Sequence, residues 1–157
     1  EPALPRLAAL ALGKLEDRES IPDLIDLLDS PDGLEVRAAH DALRWISGSD
    51  AGRTSEDWRR WHLAEQSWWS SAAPERIAEL SSADRLTVHR ALGELLRHPA
   101  YRHEVAPEVA RLIFEDDPVL AVAGCNALAT LGSSEALPAL LGALDLPEGE
   151  VRDAVLR

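Results

Sequence analysis

The chain has 157 residues, enough for one domain with a proper core. With five Trp but one Phe, one Tyr and no Met, that core must rest mainly on Ala and Leu. The 28 acidic residues outnumber the 16 basic ones for a formal charge of −12, which argues against broad electrostatic binding to a nucleic-acid duplex or an anionic membrane surface.

Taken in chain order, the predicted elements are all helices: 3–15, 20–29, 34–46, 55–66, 74–80, 83–97, 104–115, 118–131, 134–145 and 149–157. Ala-Leu followed three residues later by an aliphatic side chain marks four of them, at Ala11-Leu12/Leu15, Ala42-Leu43/Ile46, Ala91-Leu92/Leu95 and Ala127-Leu128/Leu131. The small Ala residues allow close helix approach, and the intervening helices carry a Leu-rich stripe at helical period. Pro22 and Pro138 sit near helix starts, where a missing N–H costs little. Pro31-Asp32-Gly33 and Pro147-Glu148-Gly149 supply turns into the next helix pair. Alternating strand patterns are absent from the sequence. The chain opens on Glu1-Pro2 and closes inside a predicted helix, "EGEVRDAVLR", so it reads as a piece of a longer protein.

The pattern is a repeat. "LGKLEDRESIPDLIDLLDSPDGLEVR" (12–37) aligns with "LATLGSSEALPALLGALDLPEGEVR" (128–152) across one gap, and the four Ala-Leu signatures are spaced by 31, 49 and 36 residues. Residues 15–43, "LEDRESIPDLIDLLDSPDGLEVRAAHDAL", resemble the HEAT-like repeat of the phycobilin-lyase type, "LxxLxDxxAIPxLxxLLxDxDxxVRxxAxxAL". The resemblance implies an all-α, right-handed α–α superhelix (a HEAT/armadillo-like solenoid) of about four helical-pair repeats plus a half repeat. It implies one domain over 1–157, with neighbouring repeats or domains of the same full-length chain as contacts. It is specific for fold and weak for function, since such repeats serve many roles.

The 49-residue spacing leaves room for an insertion at 48–82, and four of the five tryptophans fall inside it, in "TSEDWRRWHLAEQSWW". Thr54 or Ser55 is the expected N-cap, and Glu56-Asp57 suits the positive end of the helix dipole. "ALRWISGSDAGRTSEDWRRW" also resembles a bacterial HEAT-repeat variant with "TG" and a later "WxxW", Ser47 standing in for the Thr. With Trp58 set at zero and 100° per residue, Trp61 falls at about 300°, Trp68 at about 280° and Trp69 at about 20°, one core-facing stripe. Glu65, at about 340°, sits within it, with His62 at its edge. Either the helix breaks near Gln66-Ser67 and Glu65 faces water, or it continues and buries Glu65 among aromatics. Ser67, Ser70 and Ser71 favour the break. The main expectation is a structural plug that closes the long loop. Trp58, Arg59, Trp61, His62, Glu65, Trp68 and Trp69 are also the best candidates for a partner-binding surface, because Trp and Arg are the commonest interface anchors.

Other chemistry is sparse. No run of about 18 apolar residues spans a membrane, and no signal peptide is visible. The lone Cys125 excludes an internal disulfide and reads as a small buried residue. His98 and His103 flank a predicted loop without a Cys/His cluster, so no metal is expected. The HEAT-repeat deoxyhypusine hydroxylases use four His-Glu pairs, and this chain has only His103-Glu104. HEAT-like DNA glycosylases use a basic aromatic groove, which this acidic chain lacks. No phosphate loop, nucleophile elbow or catalytic triad order stands out. The expected function is a non-enzymatic scaffold for a protein or peptide partner, with no cofactor, no nucleic acid and no membrane insertion. The alternative is a lyase-type, enzyme-associated module whose tryptophans grip a planar ligand. The compartment stays open.

Overall fold

The computed structural model describes residues 3–145, and the expected turn at 147–149 and helix at 149–157 lie outside them. The described residues are all-α: α1 (Leu4–Lys14), α2 (Ile21–Leu27), α3 (Gly33–Ser47), α4 (Ser55–Ser71), α5 (Ala73–Glu79), α6 (Arg85–Leu95), α7 (Arg102–Ala110), α8 (Pro118–Leu131) and α9 (Leu137–Ala143). No strand occurs among them. The chain divides into two compact units, Glu1–Ser70 and Ser71–Arg157, and the division falls inside the 48–82 stretch read as an insertion.

The same local devices recur in both units. Three helices, α3, α6 and α8, start on an aspartate whose carboxylate accepts from first-turn N–H groups. These are Asp32 from Leu34 at 2.8 Å, Asp84 from Leu86 and Thr87 at 3.3 and 3.0 Å, and Asp117 from Val119 at 3.0 Å. α3 and α8 both stop at a left-handed glycine, Gly48 and Gly132, whose N–H returns to the carbonyl four residues back. Each of α2, α7 and α9 is entered through a short 3₁₀ turn, Arg18–Ser20, Pro99–Tyr101 and Ser134–Ala136 respectively. These tight entries explain why the predicted helices at 20–29 and 134–145 begin differently: the first residues form i→i+3 bonds before the α-helix sets in.

In the first unit, α3 packs against both α1 and α2. Ile21, Leu24, Ile25, Ala38, Ala39, Ala42, Leu43, Ile46 and Trp58 form the buried core with Ala9 and Leu28. Each buried Leu or Ile contributes about 1.5–3 kcal/mol relative to exposure. The α1–α3 crossing is closest at Gly13, where a Cβ would lie 2.6 Å from Ala42 Cα and 2.9 Å from Trp45 Cε3. In the second unit, α6 and α7 each pack on α8, and α5 on α6. Val88, Leu92 and Leu95 of α6, Val105 and Val109 of α7, and Leu120, Cys125 and Leu128 of α8 are buried there.

Candidate interaction site on α4

The loop before α4 is fixed residue by residue. Ser47 is buried; its hydroxyl donates to the Ser49 carbonyl at 3.0 Å and accepts from the Ser49 N–H at 3.1 Å. Thr54 is the N-cap: its hydroxyl donates to the Asp57 carboxylate at 2.6 Å and accepts the Asp57 N–H at 3.1 Å. The Thr54 N–H reaches the same carboxylate at 3.3 Å, completing a reciprocal capping box. These bonds from Thr54 hold the Asp57 carboxyl below its ordinary range. Ser55, the other expected cap, is buried and donates instead to Asp29 at 2.8 Å.

Trp58 is fully buried in the core of the first unit. Its indole N–H donates to the Gly52 carbonyl at 2.9 Å, and His40 Nε2 lies 3.0 Å from the same oxygen. The His40 and Trp58 rings meet edge to face at 6.0 Å. Trp58 therefore ties the 48–54 loop to α3, the loop-closing part of the plug expected from the sequence, and it alone of the four tryptophans is fully buried. As a partner anchor it is closed, because none of its surface is accessible. Trp61 is half-buried and lies edge-on to Trp58 at 5.5 Å.

Arg59 clasps α4 to α2. Its guanidinium reaches Asp26 at 3.1 Å, Asp29 at 3.2 Å and the Ser55 hydroxyl at 3.0 Å. The hydrogen bonds from Ser55 and then Arg59 hold the Asp29 carboxyl below its ordinary range. Those to Asp26 and Asp29 raise the guanidinium further above neutrality. His62 is half-buried; burial, then the nearby Arg18 charge, pushes its pKa down, with Glu65 pulling in the opposite direction.

The expected break at Gln66-Ser67 is not found: α4 is continuous through Ser71. Ser70 does not end the helix because its hydroxyl turns inward, 3.0 Å from the Gln66 carbonyl and 3.1 Å from that of Ser67. Glu65 is consequently half-buried rather than turned wholly to water. Trp68 and Trp69 are half-buried as well, with ring centroids 6.4 Å apart at 43°.

What the sequence reading missed is Leu63. It lies at about 140° from Trp58 on the helical wheel, off the aromatic stripe, and is 65% exposed. With Pro22, Ile25, Asp26, Arg59 and His62 it lines a groove of about 230 Å³ between α2 and α4. Only the pairing of α2 with α4, a tertiary fact, brings these residues together.

No group of three metal-ligating side chains occurs among the described residues. His103 Nδ1 lies 2.9 Å from the hydroxyl of Ser133, which accepts the Glu135 N–H at the turn into α9. Cys125 is buried, and burial pushes its thiol pKa up, away from a reactive thiolate. No helix among the described residues is long and apolar enough to cross a membrane.

Recurring helix pairs with matched caps define an all-α helical-repeat module. Residues 4–30, which span α1 and α2, match the PBS lyase HEAT-like repeat family, which supports a HEAT-like repeat there. No curated protein matches the chain.

Proposed function

We propose that this HEAT-like repeat module is a non-enzymatic binding scaffold that holds a protein partner by an apolar peptide side chain seated in the α2–α4 groove. The observation that carries the reading is the exposed Leu63, set beside Pro22 and Ile25 with Arg59, Asp26 and His62 around it. An apolar floor with a few polar groups at its margin is the usual make-up of a small recognition pocket. Helical repeats use surfaces of this kind to hold other chains. The Arg59–Asp26/Asp29 clasp keeps α2 and α4 in register, so the groove is formed before a partner arrives. The family's name keeps a lyase-associated role as the alternative, in which Trp58, fully buried, would take no part in gripping a planar ligand.

Selecting a displayed random-peptide library against the whole chain tests this. Peptides with a shared aliphatic anchor should emerge, and Leu63→Asp should weaken them by about tenfold or more, the equivalent of losing one buried aliphatic contact. Because Leu63 is exposed, the variant should keep its far-UV circular dichroism. No enriched sequence, or peptides indifferent to Leu63→Asp, would overturn the reading.

A further inference from the structure

A second concavity lies at the C-terminal end of α3. It encloses about 400 Å³ and is lined by Asp41, Arg44, Trp45, Gly48, Ser49 and Asp50. We propose that this pocket binds a basic side chain, the guanidinium of arginine or the ammonium of lysine, presented by a peptide or protein. It shares no residue with the α2–α4 groove, so the two readings stand or fall separately.

Three features favour a cation there. The first is Trp45, 42% exposed at the pocket while its neighbours on α3, Leu43 and Ile46, are buried. Its ring is held in place from behind, since a Cβ on Gly13 would come within 2.9 Å of Cε3. A partly exposed indole held against a neighbouring helix is a favourable platform for a cation. The second is the pair of carboxylates. Asp41 stands one turn before Trp45 on the same face of α3. Asp50 projects from the loop, its position fixed by the Gly52 N–H at 3.2 Å. The third is α3 itself, a 15-residue helix whose last turn ends at the pocket. The negative end of its dipole adds to the same sign of field.

Arg44 lines the pocket too, and its effect must be counted. It lies 3.8 Å from Asp50, a long contact between two groups that are each more than half exposed. His40 is 3.5 Å from the same carboxylate and also engages the Gly52 carbonyl. Both local basic groups therefore lean toward Asp50. Asp41 is left as the carboxylate that, with the Trp45 ring, a guest cation would meet. Two acids against Arg44 leave the lining net negative, in a chain whose overall charge of −12 already attracts basic partners. An arginine guanidinium suits the site best, because it can stack on the indole while donating to a carboxylate in its own plane.

The test uses the whole chain and reads the indole N–H resonance of Trp45 by ¹H–¹⁵N NMR, assigned with Trp45→Phe. N-acetyl-arginine amide and N-acetyl-lysine amide should move that resonance in a saturable way at millimolar concentration. The neutral isostere N-acetyl-citrulline amide should not. Asp41→Asn should weaken the arginine probe by about tenfold, the effect of removing one charge-assisted contact. Asp23→Asn, an equal charge change on the exposed face of α2, should leave the affinity unchanged. The other four indole resonances report whether each variant stays folded, and Asp41→Ser is the second variant should Asp41→Asn disturb them. The proposal is overturned by the absence of a saturable shift at Trp45 or by an equal shift with citrulline. Wild-type affinity in Asp41→Asn, or an equal loss in Asp23→Asn, overturns it as well.

Discussion

Replacing Trp58 is the sharpest test of how the first unit holds its long loop. The side chain is fully buried, makes edge-to-face contact with His40 and Trp61, and donates one hydrogen bond to Gly52. Trp58→Ala should cost about 3–5 kcal/mol, the range for deleting a large buried aromatic. Trp58→Phe keeps an aromatic ring but removes the indole N–H. The Gly52 carbonyl then retains only His40, so the cost of that bond should be about 0.5–1.5 kcal/mol, plus a smaller packing loss. Because the chain has two compact units, a single unfolding free energy is the wrong readout. Backbone hydrogen exchange followed by mass spectrometry resolves the effect by segment. In Trp58→Ala, protection in α3 and the first two turns of α4 should fall by about a hundredfold to several-thousandfold, limited by the stability those segments start with. Trp58→Phe should show the same pattern at about tenfold. Unchanged exchange in these segments, with the helices still formed, would refute the plug.

Other expectations follow from single atoms. Gly13→Ala should destabilise the first unit by about 1–3 kcal/mol, because the new methyl would meet the Ala42 backbone at 2.6 Å. Gly93→Ala in α6, with nothing within 4 Å of its Cβ, should instead stabilise by about 0.5–1 kcal/mol; thermal melts of the two variants should move in opposite directions. For His62, whose pKa is pushed below its ordinary 6.5, the unfolded chain takes up the proton first. Stability should decline as pH falls through about 6.5 toward the folded value, and His62→Gln should flatten that part of a stability–pH curve. Asp29, held below its ordinary 3.8, acts only in the more acid window, so the two effects separate. In acrylamide quenching, Trp45→Phe should remove a readily quenched component of the emission, and Trp58→Phe a protected one.

The helices were legible because their signals are local. The Ala-Leu pattern placed α3 and α8 to within a residue, and α8 runs from Pro118 to Leu131 as predicted. Asp32, Gly48, Asp117 and Gly132 act within one turn of their own positions. The end of α4 was misread because serine in the abstract is a weak helix former. Here the Ser70 hydroxyl bonds back to carbonyls of its own helix, and the cost is met locally. The 3₁₀ entries to α2, α7 and α9 carry no sequence signal distinct from a helix start. The groove was beyond reach for another reason. Pro22, Ile25 and Leu63 are unremarkable on their own helices, and they become a feature only when α2 and α4 lie side by side.

The tryptophan-rich stretch thus divides its work along one helix. Had all its aromatics been exposed, α4 would be an apolar surface prone to indiscriminate contact. Had all been buried, it would offer nothing to bind. Trp58 and the Arg59 clasp secure the N-terminal half against α2 and α3, and the side chains one turn on inherit a fixed orientation. Leu63 is held out by the same rotation that drives Trp58 in, since about 140° separates them on the helix. A change that loosens Trp58 should therefore weaken the peptide binding proposed for the groove without touching any residue that lines it. Trp58→Phe, the mild variant, is the one to measure beside Leu63→Asp. Reduced peptide affinity in Trp58→Phe, in proportion to its lost exchange protection in α4, would show that the groove depends on the plug. Full affinity despite lost protection would show that the Arg59 clasp alone suffices.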